Sequence, residues 1–190
     1  MQPSGTVLFQ GDSITDAFRK PEEVGDGYRL GMGYAFLVGS LLQATAGDPG
    51  LSVQNRGVAG NTAAELLLRW GRDCLELRPD TLSLLIGVND AIRASAAGAD
   101  AGAALAGFAP AFDALLAQVR ARLPATALVV LEPFSLPVDP LGAQRAAQLA
   151  PIREHVRTAA AAHGATLVAL QDAFDAVAGA HPERWLFDGI

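Results

Sequence analysis

Three short polar segments interrupt apolar runs in this chain, and their residue types suit acyl transfer. "VLFQGDSITD", from Val7 to Asp16, breaks at Gly11-Asp12-Ser13. "NRGVAGNT" runs from Asn55 to Thr62 and "GVND" from Gly87 to Asp90. Acyl transfer needs a nucleophile, a base, and hydrogen-bond donors aimed at the oxygen on which negative charge develops. Ser13 supplies a hydroxyl. Its own backbone N–H, the N–H of Gly60 and the side-chain amide of Asn89 are candidate donors for one oxyanion. Glycine suits the second place because a side chain there would block the substrate's approach to the backbone. Asparagine suits the third because a neutral amide donates at any protonation state. Singly, each segment reads as an ordinary turn. Their value depends on where the fold puts them.

Five apolar runs are expected to be strands: Thr6–Gln10, Leu51–Asn55, Thr81–Ile86, Ala127–Leu131 and Thr166–Ala169. None alternates strictly with polar residues, as expected of parallel strands covered on both faces. Helical patterns lie between them. "YAFLVGSLLQA" places Tyr34, Leu37, Val38, Leu41 and Leu42 on one stripe. "TAAELLLRWGRDCLEL" has Asn61 or Thr62 as its N-cap. "FAPAFDALLAQVRARL" follows, then "LGAQRAAQLAPIREHVRTAAAAHG", which Pro151 should kink or interrupt and which ends at His163-Gly164. This rhythm predicts an α/β protein of one domain over residues 1–190: a three-layer α/β/α sandwich around a five-stranded parallel sheet with right-handed crossovers. Ligands of such sheets bind at the carboxyl ends of the strands. The three polar segments follow the first, second and third strands, so they meet at one edge. Arg19–Gly33 is expected to be a loop over that edge.

Several residues have structural readings beside the chemical ones. Ser13 could cap a helix, with Asp16 completing an S-x-x-D capping box. That is compatible with a nucleophile held at the strand's end. Asp12 is expected to accept backbone N–H groups under Ser13 rather than act as a base, and Asp90 is read with the same caution. Trp70, with Arg69, reads as core packing before sugar stacking. Trp185 and Phe187 fit either the mouth of a site or the core, and Glu132-Pro133-Phe134 closes the fourth strand at the ligand edge. Cys74 is the single cysteine, which leaves no disulfide framework and points to a buried, inert thiol.

Composition removes other classes. With 51% apolar and 18% charged residues over 190 positions, the chain is globular. A net charge of −6, with Lys20 the only lysine, supplies no basic stripe to displace phosphate counterions, so no nucleic-acid partner is expected. Neither G-x-x-x-x-G-K-[ST] nor G-x-G-x-x-G follows a strand, which argues against a nucleotide or flavin cradle. The N-terminus lacks a basic n-region, and no apolar stretch is expected to approach the ~20 residues that span a bilayer. A cytoplasmic protein without a membrane partner is the expectation.

The chain resembles the SGNH (GDSL) hydrolase family. "GDSIT", "NRGVAGNT" and "GVND" match its blocks, and the likeness continues through "RWGRDCLELRPDTLSLLIGVND" and "LVVLEPF" to "WLFDGI". It is most similar to bacterial carbohydrate-ester deacetylases of the acetylxylan-esterase type. The resemblance implies the flavodoxin-like SGNH fold, no metal ion and no organic cofactor. It also implies a serine esterase that hydrolyses short-chain acyl esters, acetyl foremost, of small molecules or oligosaccharides through a Ser-His-Asp acyl-enzyme mechanism. Ser13 would be the nucleophile; Ser13 N–H, Gly60 N–H and the Asn89 amide the oxyanion hole; and Asp188 the acid of the final block, written Asp-x-x-His in the family. That histidine would be the residue after Ile190, so the expectation is a domain cut off before its base and last helix. Loss of a triad member lowers rates ~10⁴-fold, and an uncovered apolar face would favour a homo-oligomer. Among the histidines present, His155 and His163 fit solvated or capping roles. His181-Pro182 imitates the family's His-Pro but precedes Asp188 by seven residues. Two alternatives stay open: a non-catalytic carbohydrate- or ligand-binding relative, and an acyl hydrolase of the lysophospholipase or thioesterase type.

Overall fold

The structure, a computed structural model, describes residues 5–23, 26–46, 50–138, 140–179 and 181–184. Five strands form its sheet: β1 (Thr6–Gly11), β2 (Ser52–Asn55), β3 (Thr81–Leu85), β4 (Ala127–Leu131) and β5 (Thr166–Val168). All pair in parallel, in the order β2-β1-β3-β4-β5. The helices are α1 (Ser13–Asp16), α2 (Asp26–Leu30), α3 (Tyr34–Ala46), α4 (Ala63–Trp70), α5 (Val88–Ala96), α6 (Ala101–Arg122), α7 (Pro140–Ala162) and α8 (Leu170–Ala178). The expected α/β sandwich with a five-stranded parallel sheet is therefore present, with strand ends displaced by no more than a residue.

Side-chain alternation along β1 divides the two layers. Leu8 belongs to the main core with Leu82, Leu84, Leu128 and Val130, under Trp70, Phe112 and Ile152 of α4, α6 and α7. Phe9 faces the other way and meets the Tyr34 ring edge-on, with centroids 5.6 Å apart. Here α3 lies close to β2: a Cβ on Gly39 would stand 2.9 Å from Val53 Cγ1. The outer side of α3 leaves Leu37 and Leu41 exposed. Fully buried Trp70 donates its indole N–H to the Leu115 carbonyl at 3.2 Å, which settles it as core. Cys74 is buried too, and burial pushes its thiol up to about 12.

The structure corrects several local expectations. Asp12, not Ser13, is the N-cap of α1, and Asp16 pairs with Arg19 (2.9 Å) instead of closing a capping box. Asp12 wins because its carboxylate reaches the Ile14 N–H without using the Ser13 hydroxyl. Arg19–Gly33 holds the short helix α2, and α5 and α8 occupy stretches not read as helices. Pro151 does not interrupt α7, whereas Gly164 (φ +58°) follows it as a helix stop should. Past Trp70 the α4 helix widens into a π-type segment, Gly71–Leu75, closed by Glu76 N–H to Gly71 O at 2.9 Å. At 22 residues and a mean hydropathy of 1.4, α6 is long and apolar enough to cross a membrane by composition. Its buried face, which includes Phe108, Phe112 and Leu116, instead belongs to the main core.

Candidate functional site

The chain leaves β1 for β2 on one side and later takes β3 on the other, so the carboxyl end of β1 is the switch point of the sheet. Gly11-Asp12-Ser13 stands there. The turn between strand and helix is fastened from below. Asp12 is fully buried; its Oδ1 accepts the Ile14 N–H at 3.1 Å and its carbonyl accepts the Asp16 N–H at 2.8 Å. This is the structural role expected of Asp12. Ser13 is exposed, and neither its hydroxyl nor its N–H is hydrogen-bonded among the described residues.

Backbone and side-chain bonds tie the other two segments to this turn. Val58 N–H donates to Gly11 O at 3.1 Å, joining the segment after β2 to the end of β1. Asn89 donates one hydrogen of its amide to the Asn61 carbonyl at 3.0 Å, joining the segment after β3 to the same loop. Its second amide hydrogen makes no hydrogen bond among the described residues. Gly60 has φ +81°, a conformation glycine adopts without cost. Among the described residues a Cβ there would meet nothing within 4 Å, and the Gly60 N–H makes no hydrogen bond. The Gly60 carbonyl is held by Arg93 Nη2 at 2.7 Å, and Arg93 in turn pairs with Glu65 at 2.8 Å. Glu65 completes a capping box with Thr62, one of the two expected N-caps of α4. Ser13 N–H and the Asn89 amide thus sit on two segments that are each bonded to the loop of Gly60, and each of the three has a donor to spare among the described residues.

Two residues matter more here than sequence reading indicated. Arg69 was read only with Trp70 as part of an apolar helix face. Its guanidinium reaches Gln10 Oε1 (3.1 Å), Gly11 O (3.1 Å), Arg56 O (2.7 Å), Asn61 Oδ1 (2.8 Å) and Asp73 Oδ2 (3.3 Å). One side chain therefore holds the ends of β1 and β2 and the Gly60 loop. Asn55, the last residue of β2, donates to the carbonyls of Thr15 and Leu30 and accepts the Gly57 N–H at 2.8 Å. The available signal was a polar residue closing an apolar strand at the ligand edge.

Burial sets the electrostatics beneath the site. Desolvation first, and then the charge of Asp90, raise the Asp12 carboxyl to about 7. Asp90 is raised to about 6, again mainly by burial, although it accepts the Ala63 N–H at 3.1 Å. The second Asp12 oxygen, Oδ2, is buried without a partner among the described residues. A protonated Asp12 leaves less uncompensated charge under Ser13 than a carboxylate would.

The described histidines are engaged elsewhere. His155 Nε2 lies 2.8 Å from Asp113, with its ring against Phe108 and Phe112. His181 Nδ1 lies 3.2 Å from Glu183, and His163 closes the α7 end, its carbonyl accepting from Arg120. Asp188, Trp185 and Phe187 lie outside the described residues. Glu132 does not stand free at the edge: buried, it binds Arg157 at 2.7 Å and the Gln171 N–H at 3.0 Å, locking β4 to α7 and α8.

Comparison with known proteins bears on the fold and the family. An acetylxylan esterase of Geobacillus stearothermophilus is 46% identical over 88 residues, which are 46% of this chain and 40% of that protein. The crystal structure of the acetylxylan esterase Axe2 from the same organism superposes with a TM-score of 0.85 at 27% identity, covering 100% of this chain and 88% of that one. A GDSL-like protein of Parabacteroides merdae superposes with a TM-score of 0.89 at 29% identity, with the same coverage. The family model of GDSL-like lipases and acylhydrolases matches residues 9–190. With that match across almost the whole chain, and its sheet and site loops arranged as described, the chain belongs to the GDSL-like lipase/acylhydrolase family.

Proposed function

We propose that the chain is the catalytic domain of a serine esterase that removes short acyl groups, acetyl foremost, from carbohydrate esters. The observation that carries this reading is the exposed, unbonded Ser13 beside uncommitted donors on loops bonded to its own turn. The likeness to acetylxylan esterases supports the choice of acyl group and alcohol.

Ser13 Oγ attacks the ester carbonyl, and the carbonyl oxygen gathers negative charge. Ser13 N–H, Gly60 N–H and the Asn89 amide stabilise that charge, and being fixed beforehand they cost no reorganisation. Collapse breaks the ester C–O bond, expels the sugar as its alcohol once its oxygen is protonated, and leaves acyl-Ser13. Water then attacks the acyl carbon, releasing the acid and restoring the hydroxyl. The Ser13 proton has to pass to a base and on to the leaving oxygen. The resemblance to the family gives that role to the imidazole of its Asp-x-x-His block, of which this sequence shows Asp188. Ser13→Ala in the full gene product should abolish turnover of acetylated xylo-oligosaccharides and prevent labelling by an organophosphate. Unchanged hydrolysis in that variant would overturn the assignment.

A further inference from the structure

Directly after α1 the backbone turns left-handed twice: Ala17 closes the helix as its C-cap, and Phe18 then repeats the conformation with no helix left to end. Their φ angles are 44° and 58°. Residues with a Cβ avoid this region, bulky ones most of all, and hold it only where the surroundings over-determine it. Here they do. Ala17 N–H donates to Ser13 O at 2.9 Å, Ala17 O accepts from Met32 N–H at 2.8 Å, and Lys20 N–H donates to Tyr28 O at 2.6 Å. Gly31, itself at φ +79°, passes so close that a Cβ would stand 2.5 Å from Asp16 O and 2.7 Å from Ala17 O.

The product of this clamp is a phenyl ring on the outside of the molecule. Phe18 is 82% exposed, and Met32 (76%) and Tyr28 (57%), from the opposing segment, are exposed too. Folding gains little from a strained, solvated phenylalanine. The backbone that carries the ring is held five residues from Ser13, after the short helix that Ser13 begins.

We infer that Phe18, flanked by Tyr28 and Met32, is the platform on which the sugar ring of the ester stacks. This rests on the carbohydrate-ester reading above. The C–H face of a pyranose packs against the electron-rich face of an aromatic ring, and an aromatic wall with a few polar groups is the usual lining of a ligand site. The surroundings favour a sugar over an acyl chain. Arg19, Lys20, Glu22, Glu23 and Arg29 interleave the apolar side chains, and Lys20 Nζ lies 5.9 Å from the Tyr28 ring centre. Such a rim can bind hydroxyl groups, whereas a long acyl chain needs an unbroken apolar slot.

The test compares two acetates in the full gene product: an acetylated xylo-oligosaccharide, and vinyl acetate, whose alcohol part has no ring to stack. Phe18→Ala should raise KM for the sugar ester about three- to tenfold, the scale of one aromatic contact, with kcat and all vinyl acetate constants unchanged. Phe18→Trp should hold KM at or below the original value. Phe18→Gly relieves the left-handed strain, so it should raise Tm while raising KM as alanine does, which separates ring contact from folding. Equal effects on both acetates, or none on the sugar ester, would overturn the platform alone. A raised KM for vinyl octanoate with none for the sugar ester would overturn it in favour of an acyl chain. An unsubstituted protein that turns over vinyl acetate but not the sugar ester would overturn the carbohydrate reading itself.

Discussion

The Arg69 guanidinium donates to the Asn61 side chain at 2.8 Å, and the Asn61 carbonyl in turn accepts the Asn89 amide at 3.0 Å. Through this pair a helix residue fastens the loop of Gly60 to the amide of Asn89, the two groups proposed above as oxyanion donors. Burial disfavours the arginine's charge, but the Asp73 carboxylate favours it and the surrounding carbonyls accept its hydrogens.

Arg69→Met should therefore damage both fold and rate. Asp73 would keep Arg72 at 2.7 Å and Gly11 O would keep the Val58 N–H at 3.1 Å. The main loss is the donor to the Arg56 carbonyl, about 1–3 kcal/mol for a buried group left unpaired. A urea melt should show the lowered midpoint. In the fraction that stays folded, kcat should fall more than KM rises, because the loosened loops stabilise the transition state less. Arg69→Lys should rescue little, since an ammonium cannot reproduce the guanidinium's fork.

Asp12 makes stability depend on pH in an unusual direction. Its folded carboxyl is raised from 3.8 to about 7, so the native state binds the proton more tightly than the unfolded chain. The associated stability is fully present below the unfolded value near 4 and is lost as pH rises through about 7. Asp90, raised to about 6, adds to the same slope. Asp12→Asn keeps an oxygen for the Ile14 N–H and stays neutral. Its unfolding free energy should therefore fall less between pH 4 and 8 than that of the unsubstituted chain. Parallel denaturation curves across that range would contradict the buried, protonated Asp12.

Gly60→Ala separates folding from catalysis. The new methyl would meet nothing within 4 Å, so its cost is the left-handed backbone alone, about 1 kcal/mol. Yet it would stand beside the N–H, in the space an oxyanion needs. Thermal melts should show a small loss, while kcat/KM should drop about a hundredfold, the low end for losing one oxyanion donor. A loss of activity no larger than the loss of stability would remove Gly60 from the oxyanion hole.

Much of this was legible in the chain. The strands could be read because apolar runs and turn residues are local signals, and the helix stop at His163-Gly164 could be read for the same reason. The start of α4 could be read only to within a residue. What failed locally was a competition between near neighbours: Asp12 and Ser13 are both good caps, and only the packed turn shows which side-chain oxygen reaches a free N–H, that of Asp12 to Ile14. Likewise α5 begins inside "GVND", where turn-forming residues masked a helix start.

By itself, then, the sequence determined the parallel sheet, the order of its layers, and which three loops would meet at the carboxyl end. Those follow from hydrophobic spacing and from the rule that parallel strands present their ligand edge together. Only the tertiary structure decided which side chains fasten those loops, and in what charge state. Arg69 meets Gly11 across 58 positions of sequence, and Asp12 holds its proton up to about pH 7 because the folded chain removes water from it. Contact across such a distance, and desolvation with it, exist only once the layers have closed.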